Sequence, residues 1–168
     1  KWKQADLQAL SDVVEYARRW GYRRHSLDWR EVAADPEIDL VDIAAPSAIH
    51  AEVAIEAAER GKHILCEKPM AMNERECDDM ILAAERAGII LQMGFMRRYD
   101  AGFVEARDIV RRGDIGDVVL VKSLTRGPSI PKPWMYDIDS SNGPLSEVNS
   151  HDIDSLRWFT GSEFSEVY

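Results

Sequence analysis

Apolar residues recur at helical spacing near the start of the chain. Leu7, Leu10, Val14 and Ala17 fall on one face, Arg18 and Arg19 suit a last turn, and Gly21 can take a left-handed cap. This predicts a first helix. The run DLVDIAAP is strand-like and is stopped by Pro46; HAEVAIEAAER after it has helical periodicity and ends at Gly61. HILCE is a second buried strand. Asn73, with Glu76 three residues later, is an Asn form of the capping box. It opens a helix whose inner stripe is Cys77, Met80, Ile81 and Ala84 and which Gly88 closes. IILQMGF follows as a third buried strand. Strands alternating with helices of this length require right-handed crossovers and a parallel sheet, so the predicted fold class is α/β.

The pattern then changes. MRRYDAGFVEARDIVRRG reads as one helix, DVVLVKSLTRG as a longer strand, and PSIPKPWMYDIDSSNG as a loop rich in Pro, Ser, Asp and aromatic residues. A last helix is predicted from Pro144 to Phe159, with proline in its first turn and Gly161 beyond its end, and SEVY reads as a strand just beginning. The predicted organisation is a first unit over 1–98 and the beginning of a second, α+β unit over 99–168.

Composition narrows the function classes. The 168 residues suffice for one buried domain or for one domain and part of another. Hydrophobic residues at 45% and charged residues at 30% exclude a disordered chain, and no apolar run approaches the roughly 20 residues that span a bilayer. A net charge of -9 argues against nucleic acid or an anionic membrane as partner, since both repel a field of that sign. A small molecule or a protein is the expected partner. Neither Cys66 nor Cys77 sits in a CxxC or Cys/His ligand spacing, so both read as core thiols of a reducing, cytoplasmic compartment, and no metal is expected. The chain opens already inside a helix, which suggests that its natural N-terminus lies upstream.

The chemistry-bearing residues fall at strand ends and on the last helix. In an open parallel sheet, ligands bind beyond the carboxyl ends of the strands. Glu67, Lys68 and Pro69 stand there after HILC, as PSAIH does after DLVDIAA and GFMRRYD after IILQM. A lysine held by a rigid proline can have its pKa lowered and can hydrogen-bond a substrate hydroxyl; a solvated Glu-Lys pair is the other reading, and spacing does not separate them. Glu147, His151 and Asp154 at i, i+4 and i+7 share one helix face. They form either a proton-transfer cluster, with the histidine pKa raised between two carboxylates, or a surface charge stripe; as a metal site they lack a fourth ligand nearby. His50 is either a ligand-facing group or simply the first residue of its helix. Arg97 and Arg98 either clamp an anion or are solvated, and Trp134 lines a pocket or anchors its loop. His25 and His63 belong to no constellation.

Taken in order, ADPEIDLVDIAAPSAIHAEVAIEAAERGKHILCEKPMA, LQMGFMRRYD and HDIDSLRWFTGSE resemble the glucose-fructose oxidoreductase, inositol dehydrogenase and MocA superfamily, from about Asp28 to Tyr168. GFMRRYD leans toward its inositol dehydrogenase branch. The resemblance implies a partial Rossmann-type doubly wound sheet followed by the start of a domain with an open sheet. It also implies an NAD- or NADP-dependent dehydrogenase acting on a sugar, polyol or inositol. Lys68 would bind and help deprotonate the substrate hydroxyl, His151 would be its acid/base partner, and Glu147 would supply the family's late carboxylate. Ala45, Pro46, Ser47, His50, Glu67, Lys68, Pro69 and Arg97 would lie along the cofactor, with a cis bond between Lys68 and Pro69. Asp154 and Trp134 complete the substrate-side candidates together with Lys68 and His151. Copies of such proteins associate through the second domain.

Two departures qualify the resemblance. Glu147 stands where these dehydrogenases usually carry aspartate, one methylene shorter. The glycine-rich phosphate loop and the acidic residue after the second strand are not in this sequence, which predicts an internal portion of a chain about twice as long that binds a dinucleotide poorly by itself. A non-catalytic ligand-binding or scaffold protein of the same fold is the alternative.

Overall fold

Three short parallel strands form one sheet in the order β1 (Leu40–Ile43), β2 (His63–Cys66), β3 (Leu91–Met93). Leu40 stands opposite His63 and Ile43 opposite Cys66; Ile64 pairs with Leu91 and Cys66 with Met93. The computed structural model describes the backbone of residues 4–125 and 133–168, and within it all side chains except those of residues 4–11, 133, 134, 140 and 144.

The helices predicted around these strands form where the pattern placed them, and those between β1 and β2 and between β2 and β3 are the crossovers between parallel strands. α1 (Gln4–Trp20) ends at Gly21, whose φ of +75° is the left-handed value that favours glycine. α3 (His50–Glu59) turns Ala54, Ala57 and Ala58 onto the sheet, and these small residues let the helix approach Val41, Ile43, Ile64 and Cys66 closely. α4 (Glu74–Ala87) packs beside it through Met80 and Ala84. Its cap is reciprocal but shifted by one residue: Asn73 Oδ1 accepts from the Glu76 amide at 3.0 Å, while Glu76 Oε2 accepts from the Met72 amide at 3.0 Å. Ile81, expected on the inner stripe, is exposed; the buried stripe is narrower than the apolar pattern.

Other differences have local causes. α2 (Trp29–Ala34) was not predicted, yet Asp28 caps it by accepting from the Arg30 amide at 3.0 Å. The helix read through MRRYDAGFVEARDIVRRG is two pieces, a 3-10 turn at Met96–Tyr99 and α5 (Ala101–Arg112). Asp100 restarts the backbone by capping the Gly102 and Phe103 amides. α6 (Ile138–Ser141) interrupts the expected loop behind a cap from Asp137. α7 (Gly143–Thr160) runs almost as predicted and closes on Gly161. The described part of DVVLVKSLTRG forms no ladder, nor does SEVY; Val119 and Leu120 are exposed, and a β-rich run without a neighbouring strand gains nothing from extended pairing.

Candidate active site

The carboxyl ends of all three strands open on one side of the sheet, and α7 crosses that side. Beyond β1, Pro46 leads into a 3-10 turn over Ser47–Ile49; beyond β2 come Glu67, Lys68 and a cis Lys68-Pro69 bond; beyond β3 comes Gly94. The loops are tied to the neighbouring strands: the Glu67 amide donates to Ile43 O at 3.0 Å and the Gly94 amide to Cys66 O at 2.7 Å. A side chain at position 94 would crowd Glu67, since a Cβ there would sit 3.0 Å from Glu67 Oε2 and 3.2 Å from Glu67 Cα.

Lys68 reaches α7. Its Nζ donates to the Glu147 carbonyl at 2.5 Å and lies 3.5 Å from Glu147 Oε2, with side-chain exposures of 15% and 5%. The other carboxylate oxygen, Oε1, accepts from the buried Ser47 hydroxyl at 2.6 Å. The Glu-Lys motif is therefore not a solvated pair. Lys68 has turned away from Glu67 toward a carboxylate 79 residues further on, leaving Glu67 exposed with Oε2 3.3 Å from the Lys68 amide. An ammonium has three hydrogens. Glu147 engages Lys68 through two acceptors, which leaves a direction for a ligand hydroxyl.

His50 is fully buried and bridges the two loops that carry these groups, with Nδ1 2.9 Å from Pro69 O and Nε2 2.8 Å from Ala45 O. Both ring nitrogens thus face backbone carbonyls, and the Ser47 hydroxyl donates to Glu147. Replacing His50 by alanine strips whichever of these carbonyls accepts the ring N–H of its donor and opens a void. The expected cost is about 2–3 kcal/mol, read as a lower urea midpoint at unchanged slope, with His50→Gln recovering part of it.

His151 does not stand between two carboxylates. Glu147 faces Lys68 and Ser47, while Asp154 is buried and accepts both Nε and Nη2 of Arg98, at 3.0 and 2.7 Å. Asp154 is thereby held on the Arg98 side and is not brought to Lys68. The His151 ring meets the Phe95 edge at 6.4 Å between centroids, and its Nδ1 is buried without a partner among the described residues. The expected rise in its pKa is reversed. Burial pushes the imidazole below its ordinary 6.5, the Lys68 and Arg97 charges add to this, and Glu67 and Asp152 oppose it. The fold disfavours the protonated ring, so His151 contributes stability above pH 6.5 that is lost as pH falls through its lowered value. NMR titration of the ring should give a midpoint below 6.5, and Lys68→Met should raise it; a wild-type midpoint at or above 6.5 would contradict this electrostatic picture.

Arg97 lies one step removed from the cleft. Its Nη1 donates to Asp152 Oδ1 at 2.8 Å and its Nη2 to Thr125 Oγ1 at 3.1 Å, and the guanidinium lies 5.3 Å from the Phe103 ring centroid. Ser123 and Thr125 also donate to Asp152 Oδ1, at 2.6 and 2.7 Å. Burial pushes the Asp152 carboxyl up, but these hydrogen bonds and the Arg97 charge outweigh it and leave its pKa at about 2. Asp152 and Asn142, which donates to Met72 O, are site-supporting residues that the motifs did not single out. The Trp134 side chain lies outside the described residues. No group of three or more His, Cys, Asp or Glu residues able to hold a metal occurs among the described residues.

A parallel α/β sheet whose loops converge beyond the carboxyl ends of its strands has the ligand-binding edge of its fold class there, the place where dinucleotides bind in doubly wound sheets. The chain belongs to the Gfo/Idh/MocA oxidoreductase family: residues 4–95 match its NAD-binding Rossmann-fold domain and residues 103–168 its C-terminal domain. It is 36% identical to the levoglucosan dehydrogenase of Pseudarthrobacter phenanthrenivorans, over 92% of this chain and 41% of that one. It is 34% identical to the myo-inositol 2-dehydrogenase of Thermotoga maritima, over 98% of this chain and 50% of that one. Among solved structures, levoglucosan dehydrogenase in complex with NADH and levoglucosan superposes with a TM-score of 0.80 at 34% identity, covering 90% of this chain and 43% of the other. The chain spans about half the length of the curated relatives it matches.

Proposed function

We propose that the complete gene product oxidises a secondary hydroxyl of a sugar, polyol or inositol to a ketone, with NAD as hydride acceptor. The observation that carries this reading is Lys68, fixed at a strand end by Glu147 with hydrogen-bonding capacity left over, beside a histidine whose protonation is disfavoured. The residues that would hold the nicotinamide end of such a cofactor are Ala45, Pro46, Glu67, Lys68 and Pro69, which stand in the loops beyond β1 and β2, and the absence of a side chain at Gly94 lets Glu67 approach that residue closely. Bound NAD would supply a carbon that accepts hydride.

The chain's own groups handle the proton. Lys68 donates a hydrogen bond to the substrate oxygen and stabilises the negative charge that develops there. His151, neutral at physiological pH, takes the hydroxyl proton as the carbinol C–H bond gives up its electron pair as hydride. One alcohol thus becomes one ketone, one proton and one hydride. Arg97 serves the site through its charge, which helps keep His151 neutral. The named substrates of the relatives, levoglucosan and myo-inositol, are polyhydroxylated rings, and this supports the substrate class. The two free cysteines, with the Cys66 thiol pushed up to about 12 by burial, fit a reducing cytoplasm.

The test is spectrophotometric. The complete gene product is offered NAD or NADP with a panel of inositols, aldoses, anhydrosugars and polyols, and reduced nicotinamide is followed. Reduction with NAD and at least one ring polyol is expected. Ligand binding without turnover under every combination would favour a non-catalytic binding protein instead.

A further inference from the structure

Glu147 is one rotatable bond longer than an aspartate, and a longer side chain holds a partner less rigidly unless its free end is itself anchored. In this structure it is anchored. The Ser47 hydroxyl, 2% exposed at the first position of the 3-10 turn after β1, donates to Glu147 Oε1 at 2.6 Å across 100 residues of sequence. With Oε1 held, Oε2 and the Glu147 carbonyl are left to engage Lys68 Nζ at 3.5 and 2.5 Å. The carboxylate is therefore fixed at both oxygens, one by the β1 loop and one by the β2 loop. A charge-assisted hydrogen bond of this kind is short and directional.

We infer that Ser47 is a positioning residue: by clamping the Glu147 carboxylate it fixes the Lys68 ammonium, rather than contacting the cofactor through its hydroxyl. The inference rests on the reading of Lys68 given above and explains how a glutamate can serve in this cleft. Ser47 acts at one remove, through Glu147, and couples the strand-end loop of β1 to the reactive amine on that of β2.

The experiment reads Lys68 directly and needs no turnover. The complete gene product and its Ser47→Ala, Ser47→Cys and Ser47→Thr variants are treated briefly with a water-soluble amine-acylating reagent, and labelling of Lys68 is quantified by peptide mass spectrometry; NADH affinity is measured in parallel by fluorescence. Loss of the strong hydroxyl donor in Ser47→Ala and in the nearly isosteric Ser47→Cys should accelerate Lys68 labelling about tenfold, what one lost charge-assisted bond corresponds to. Ser47→Thr keeps a hydroxyl and should label near the wild-type rate, and NADH affinity should change less than about twofold in all three. Unchanged Lys68 labelling in Ser47→Ala and Ser47→Cys overturns the proposal, and a tenfold loss of NADH affinity alongside it returns Ser47 to the cofactor. Failure of the oxidoreductase reading is distinct, because it shows as absent turnover across the panel while the labelling contrast persists.

Discussion

Lys68→Ala should lower kcat/KM for the best ring-polyol substrate about 10²–10⁴-fold, the range that a positioned proton-handling group contributes. The reason is geometric. Lys68 is the cationic donor that Glu147 holds at the strand ends, and alanine removes the charge, the hydrogen-bond donor and the partner of a buried carboxylate together. The effect should fall on turnover far more than on NADH affinity, because the interaction is made with charge that develops on the substrate oxygen. Lys68→Arg should recover little. A planar guanidinium presents its donors in a fixed fork and does not reproduce a compact ammonium against the Glu147 carbonyl.

Arg97→Ala should destabilise the protein by about 3–5 kcal/mol, the cost of stranding a buried charge, or about 10 °C in Tm for a chain of this size. Asp152 carries this prediction. Its carboxylate is buried and ionised because Arg97, Ser123 and Thr125 converge on Oδ1, and the two hydroxyls alone bring no charge to balance it. The sign with pH follows. The lowered pKa means that Asp152 contributes stability above its ordinary 3.8 that is lost as pH falls through about 2. Without Arg97 the carboxyl should protonate at higher pH and so relieve its own burial. The gap in Tm between wild type and variant should therefore be widest near neutrality and close as pH falls toward 2. A gap constant across that range would indicate lost packing against Phe103 instead.

Much of the first unit was legible because its signals are local. From Leu40 to Met93, β-rich runs alternate with helical spacings, and Pro46, Asn73 and Gly88 punctuate them where the chain does turn. The turn at Lys68-Pro69 was visible as a motif, and its cis bond came from the resemblance. Two further local signals mark element boundaries. Asp28 ahead of Trp29 and Glu31 marks α2, and Asp100 just before Gly102 and Phe103 marks the break between the 3-10 turn and α5.

What the sequence could not show is long-range. Ser47 and Glu147 are separated by 100 residues, Arg98 and Asp154 by 56, and no periodicity pairs them. Helical spacing put Glu147, His151 and Asp154 on one face, but it could not tell that Lys68 would claim the first and Arg98 the last. The direction of the His151 shift is not legible in helical spacing for the same reason, since burial and two cations from other elements decide it. Among the described residues of DVVLVKSLTRG no ladder forms, because β-propensity states a preference that only a neighbouring strand can satisfy.

The most direct test follows the transferred atom. The complete gene product is incubated with NAD and a ring polyol, identified in the substrate panel, that carries deuterium on the reacting carbinol carbon, and the reduced cofactor is analysed by mass spectrometry. The account predicts one deuterium on the nicotinamide ring per ketone formed, with transfer reduced about 10²–10⁴-fold in Lys68→Ala. Reduced cofactor without deuterium, or transfer that persists undiminished in Lys68→Ala, would contradict it.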